Sequence, residues 1–159
     1  MYRVLFVCTG NICRSPTAEG VFRDLVKVQG LSNRVTADSA GIGAWHIGDP
    51  PDSRSIDEAM TRGVDISDQR ARKLLLDDFE EFDLLLAMDY SHHDAMYQLC
   101  PPRLQSRIRM FMYYAQETGI SDVPDPYYGS GNGFSRVYDM IEAASIGLLD
   151  AIKTNHLIE

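Results

Sequence analysis

Apolar and polar positions along this chain change period in a way that separates strands from helices. Val4-Leu5-Phe6-Val7 is a continuous apolar run, the pattern of a parallel strand covered on both faces. It is followed by Ala18, Val21, Phe22, Leu25 and Val26 at helical spacing, with Ser15 and Pro16 reading as N-cap and first helical residue and Gly30 as the stop. Further strands are predicted at Arg34–Ala37, Phe82–Met88 and Ser106–Phe111. Amphipathic stretches lie between them at Asp52–Gly63, Leu74–Phe82 and Ser91–Cys100. A closing helix carries Phe134, Val137, Tyr138, Ile141, Leu148, Leu149 and Ile152 on one face. Strands alternating with helices imply an α/β fold, a doubly wound and mostly parallel sheet with helices on both faces. With 159 residues, 45% of them hydrophobic, and no repeat or linker, one domain over residues 1–159 is expected.

In such sheets ligands bind beyond the carboxyl ends of the strands, which is where Cys8 falls. The run Cys8-Thr9-Gly10-Asn11-Ile12-Cys13-Arg14-Ser15 then forms a short loop leading into a helix N-terminus. Backbone N–H groups and the positive end of the helix dipole favour an anion there. Gly10 and Asn11 tolerate positive φ, and Arg14 adds a planar fork suited to two phosphoryl oxygens. A cation and a helix N-terminus also favour the thiolate of Cys8, a nucleophile for phosphorus that the Ser15 hydroxyl would stabilise. The competing reading of Cys8 is an inert buried thiol at a strand end. The loop lacks a Gly-Lys-Ser/Thr ending, so it is not a nucleotide P-loop, and Gly129, Gly131 and Gly133 follow no strand and read as a turn.

The net charge of −8 disfavours nucleic acid and anionic membrane as partners, so an anion must be held by local donors. Three cysteines without a C-x-x-C pair fit a reducing compartment better than a disulfide framework or zinc site. His46, His92, His93 and His156 show no ligand pattern, and no metal is expected. Asp77, Asp78, Glu80 and Glu81 read as a solvated helix face. No apolar stretch is long enough to span a membrane, and no signal peptide is visible, so the expectation is a cytoplasmic protein.

A phosphate ester also needs an acid for its leaving group. Asp125 lies between Pro124 and Pro126, which stiffen the backbone around it; the alternative is an ordinary Asp-Pro turn. Tyr127 and Tyr128 follow, as walls for an aromatic group or as turn residues.

The stretches Cys8 to Pro16 and Asp125-Pro126-Tyr127-Tyr128-Gly129 together resemble the two signatures of the low-molecular-weight protein tyrosine phosphatases. Asp38-Ser39-Ala40-Gly41, Trp45, Asp78-Phe79, Phe82-Asp83 and Ala87-Met88-Asp89 also look like that family, so the resemblance covers essentially the whole chain. It implies Cys8 as nucleophile, Arg14 as phosphate binder and Asp125 as general acid. It places Thr9, Gly10, Asn11, Ile12, Cys13 and Ser15 around the phosphate, and Trp45, Tyr127 and Tyr128 at the pocket rim. Asn11 and Ser39 would belong to a network holding the loop. Cys13 is a packing thiol that the resemblance also makes a partner of Cys8 on oxidation. The implied sheet has four parallel strands in the order 2-1-3-4. The implied reaction is cofactor-free hydrolysis of phosphotyrosine in proteins. Two positions depart from animal members: Thr9 replaces a larger aliphatic residue, and Gln69, before Ala71-Arg72, stands in place of a loop-supporting histidine.

Three other functions compete. Related arsenate reductases need more cysteines outside the loop than Cys100 alone. Protein arginine phosphatases carry Thr where this chain has Ile12 and lack the paired tyrosines. A non-catalytic phosphate-binding module would have no use for Cys8 or Asp125.

Overall fold

The computed structural model describes residues 1–129 and 131–157. In chain order the elements are β1 (Tyr2–Cys8), α1 (Arg14–Val28), β2 (Val35–Gly41), α2 (Ser53–Thr61), α3 (Asp78–Glu81), β3 (Leu84–Ala87), α4 (Tyr90–Leu99), β4 (Ile108–Met110) and α5 (Gly133–His156). Two 3-10 segments, Pro102–Arg107 and Phe111–Thr118, flank β4. The strands form one parallel sheet in the order β2-β1-β3-β4, as the sequence pattern and resemblance imply.

The unbroken apolar run of β1 is explained by its central place, which buries both faces. Val4 and Phe6 join the core beneath α1 and α5, with the Phe6 ring edge-on to Phe22 and Phe111 at centroid distances of 5.7 and 5.2 Å. Leu5 and Val7 join the opposite core with Phe79 of α3 and Met96 of α4. Among the described residues no helix is long and apolar enough to cross a membrane.

Element ends differ from the sequence reading where polar side chains find partners inside the fold. β2 does not stop at Ala37 but continues to Gly41, pairing in register from Tyr2↔Val35 to Cys8↔Gly41. Its polar residues Asp38 and Ser39 look like a strand end only until Arg72 and Glu19 are seen to bond them. β3 shortens to four residues, and the stretch from Leu74 is helical only at Asp78–Glu81. Ser15 is not the N-cap of α1; Cys13 occupies that position with no side-chain cap bond, and the Ser15 hydroxyl turns toward Cys8 instead. The acidic cluster is only partly solvated, because Asp78 is buried and binds the Arg72 guanidinium at 3.0 and 3.2 Å.

Candidate active site

Cys8 closes β1, and the extension of β2 beside it organises the following loop. The N–H groups of Ile42 and Gly43 donate to the carbonyls of Cys8 and Thr9 at 2.9 and 3.0 Å, and the Asp52 N–H donates to the Ile12 carbonyl at 2.8 Å. With those carbonyls engaged by neighbouring segments, the loop N–H groups at the start of α1 are left for an anion. Two positions demand their residues. Asn11 sits at φ 59°, which Asn tolerates, and a Cβ on Gly41 would lie 3.0 to 3.1 Å from the loop backbone. Gly10, by contrast, needs no positive φ; it is small because the His46 ring packs where its Cβ would project, 2.9 Å away.

Arg14 is buried, and most of its five donors are committed. Nη1 donates to Asp89 Oδ2 at 2.8 Å and to the Val123 carbonyl at 3.0 Å, while Nη2 donates to Thr9 Oγ1 at 3.2 Å. Among the described residues, Nε–H and the second Nη2 hydrogen make no hydrogen bond, which leaves a parallel pair suited to two phosphoryl oxygens. His92 orders the same cluster. Its Nδ1 accepts the Asp89 N–H at 3.3 Å, so its hydrogen lies on Nε2 and is donated to Thr9 Oγ1 at 2.8 Å. Burial, and then the Arg14 charge, push the His92 imidazole down to about 4 from the usual 6.5, against the opposing carboxylates of Asp89 and Asp125.

That depression carries a stability prediction. The unfolded chain takes up the proton first, so the contribution of neutral His92 is complete above pH 6.5 and is lost as pH falls toward 4. Urea unfolding should show a loss of up to about 3 kcal/mol across that window. His92→Gln, which preserves the helix-capping geometry, should flatten it; an unchanged acid slope in the variant would refute the assignment.

The Cys8 sulfur lies 2.9 Å from Ser15 Oγ. Asn11 Nδ2 donates to Ser15 Oγ at 2.8 Å and to Ser39 Oγ at 2.9 Å, while its Oδ1 accepts the Arg72 N–H at 3.0 Å. The side chains of Asn11 and Ser15 therefore brace the loop from behind rather than line the cavity, which leaves their backbone N–H groups as the part of each residue that faces a bound anion. Gln69 does not reach this network: its Nε2 donates to the Pro16 carbonyl at 2.9 Å, and the backbone of Arg72 supports Asn11. Cys13 borders the cavity, and burial, followed by the nearby Asp52 carboxylate, pushes its thiol up to about 12, so it is protonated at neutral pH.

The cavity above the loop has a volume of about 360 Å³. Thr9, Gly10 and Ile12 of the loop line it together with Trp45, His46, Asp125, Tyr127 and Tyr128. Asp125 arrives on a segment pinned at Val123, whose N–H donates to the Met88 carbonyl at the end of β3 at 2.8 Å. One Asp125 oxygen accepts the Tyr127 N–H at 3.0 Å, and the other lies 3.7 Å from Arg14 Nη2. Tyr127 and Tyr128 meet edge-on at 4.9 Å, and the Arg54 guanidinium, held by Asp52, packs over the rings of Tyr127 and Phe134. Trp45 and Tyr128 are the open part of the rim, 72% and 87% exposed.

Sequence reasoning did not identify His92, Glu19 or Arg54 as part of this assembly, and it treated His46 as an ordinary histidine. One signal was available. Asp89 follows a predicted strand at the same sheet edge as Cys8, and Asp89-x-x-His92 has capping-box spacing, which brings His92 to that edge as well.

The family profile described as low molecular weight phosphotyrosine protein phosphatase matches residues 3–157. A low molecular weight protein-tyrosine-phosphatase from Streptomyces coelicolor is 46% identical over 155 residues, covering 96% of this chain and 94% of the relative. The crystal structure of YfkJ from Bacillus subtilis superposes with a TM-score of 0.93 at 38% identity, over 98% of this chain and 97% of that one. An arginine phosphatase from Drosophila also superposes, with a TM-score of 0.87 at 30% identity over 96% of this chain and 98% of that one. The last likeness shows that the fold is shared beyond one substrate; the profile and the closer relatives place this chain in the low molecular weight phosphotyrosine protein phosphatase family.

Proposed function

We propose that this chain is one phosphatase domain over residues 1–159 that hydrolyses phosphotyrosine in proteins, and simple aryl phosphates, without a metal or organic cofactor. The observation that carries the reading is the convergence of three groups on one cavity. The Cys8 sulfur meets a hydroxyl at 2.9 Å, Arg14 holds unspent parallel donors, and Asp125 stands 3.7 Å from the guanidinium.

The thiolate of Cys8 attacks phosphorus, forming the S–P bond as the bond to the leaving oxygen breaks. Arg14 and the loop amides hold the equatorial oxygens, whose charge is greatest in the transition state. Asp125 gives its proton to the departing phenolate, then takes one from the water that attacks the cysteinyl phosphate and releases the thiolate and phosphate. Ile12, Trp45, Tyr127 and Tyr128 offer apolar surface to an aromatic ring, which supports a tyrosine ester over a serine ester. A reducing, cytoplasmic setting suits a thiolate nucleophile.

The test is hydrolysis of phosphotyrosine, phosphoserine and phosphoarginine peptides and an aryl phosphate without added metal. Phosphotyrosine and aryl phosphate should be preferred by at least about a hundredfold. Preference for phosphoarginine would establish the alternative suggested by the Drosophila likeness. Cys100 is buried among Met96 and Leu104 and does not border the cavity, which speaks against a thiol relay of the arsenate reductase kind.

Asp125→Asn should lose activity in proportion to how poor the leaving group is, by about 10²–10³-fold for phosphotyrosine and far less for an activated aryl phosphate. It should also remove the limb of the bell-shaped kcat/KM profile that reports a protonated acid. A uniform loss across the leaving-group series would give Asp125 a purely structural role.

A further inference from the structure

Glu19 is a buried carboxyl group that the reaction above does not use. It lies on α1 one turn beyond Ser15, with Arg23 donating to Oε2 at 2.9 Å and the Ser39 hydroxyl donating to Oε1 at 2.7 Å. Ser39 Oγ in turn accepts from Asn11, Asn11 donates its other hydrogen to Ser15 Oγ, and Ser15 Oγ contacts the Cys8 sulfur. Each bond in this series constrains the next. A serine that gives its hydrogen to Glu19 must receive one from Asn11, and an Asn11 amide with its N–H groups on both serines leaves the Ser15 hydrogen for another acceptor. The sulfur, at 2.9 Å, is closer than the alternative Ala40 carbonyl at 3.5 Å.

We propose that Glu19 is a positioning residue whose acceptor oxygen sets the direction of this hydrogen-bond series and thereby delivers the Ser15 hydroxyl hydrogen to the Cys8 sulfur. The competing arrangement turns the Asn11 amide over. Both serine hydroxyls would then donate to the Asn11 carbonyl, the sulfur would face a lone pair, and the Arg72 N–H would meet an NH₂ group. Glu19 opposes that arrangement from one end and Arg72 from the other. Removing the Glu19 acceptor leaves the buried Ser39 hydroxyl hydrogen without an acceptor, although its oxygen still accepts from Asn11, and so favours the overturned amide, whose carbonyl can take that hydrogen. Arg23 on the same helix and Asp38 and Ser39 on β2 are the groups that face Glu19, and burial is the largest influence on its carboxyl, pushing it up.

The inference rests on Cys8 being the nucleophile, so the experiment first alkylates wild-type protein with iodoacetamide, verifies modification of Cys8 by peptide mass and assays turnover. Turnover that survives alkylation would overturn the phosphatase reading and this inference with it. Alkylation rates are then measured near pH 6 and near pH 9.5 for Glu19→Met, Glu19→Gln, Ser39→Ala and the Glu19→Met/Ser39→Ala pair, with folding checked by thermal melts. Glu19→Met should react about fivefold more slowly near pH 6 and at the wild-type rate near pH 9.5, because losing a hydrogen bond to sulfur disfavours the reactive thiolate form and alkali offsets that loss. Glu19→Gln keeps a carbonyl acceptor and should recover most of the rate. The double variant should be no slower than Glu19→Met, because both changes act on one series. Wild-type behaviour of Glu19→Met, equal slowing at both pH values, or a Glu19→Gln as slow as Glu19→Met would each overturn the inference while leaving the phosphatase reading intact.

Discussion

Cys8→Ser should lose turnover on the order of 10⁴-fold or more while still binding phosphate or vanadate nearly as well as the parent. The two halves of this result have separate causes. A serine hydroxyl is not ionised near neutral pH, and among the described residues the side chain hydrogen-bonded at the sulfur position is the Ser15 hydroxyl, which is not a base. Anion binding, in contrast, comes from the loop amides, the start of α1 and Arg14, none of which depends on the sulfur. Steady-state assays together with vanadate titration measure both quantities. Turnover near the parent rate would exclude a covalent thiophosphate. Loss of vanadate binding in step with activity would mean that the substitution had collapsed the loop.

The second large effect is expected at Arg14. In Arg14→Lys the charge is kept, yet kcat/KM should fall by about 10³-fold. The guanidinium supplies three hydrogen bonds to Asp89, Val123 and Thr9 and still presents two parallel donors to the cavity. A single ammonium cannot serve both sets at once. If it turns to the Asp89 carboxylate, the equatorial oxygens lose their fork; if it turns to the phosphate, the partly buried Asp89 Oδ2 loses its charged partner. The variant should therefore also melt at a lower temperature, since Asp89 caps α4 and the Val123 carbonyl belongs to the acid segment. Near-normal kcat/KM would show that Arg14 does not grip the transition state. Normal melting with low activity would show that the structural bonds are dispensable and the fork alone matters.

Much of this was legible one residue at a time. The β1 run, the Cys8-to-Arg14 loop and the Asp-Pro segment carry signals that are local: period of apolar positions, glycine and proline placement, and reactive groups at short separation. The parallel sheet followed from strand–helix alternation, and its strand order from the family resemblance. What misled the reading was also local. Polar residues at Asp38, Ser39 and Asp78 resemble strand ends and solvated faces when their partners lie far along the chain.

Residue identity and short spacing already specify which chemistry is available, because a thiol, a guanidinium and a proline-flanked carboxyl group are the nucleophile, anion binder and acid that phosphoryl transfer calls for. The pattern along the chain also specifies the α/β architecture, because burial of periodic apolar faces permits few alternatives. How those groups are aimed is set by contacts between segments far apart in the chain. Arg14 is oriented by Asp89 and Val123, which are 75 and 109 residues away, and Asn11 by Ser39 and Arg72, at separations of 28 and 61. Neutral His92 and buried Glu19 take on their roles from burial and from hydrogen-bond direction. These are properties of a packed, low-dielectric interior, and residue identity alone does not encode them.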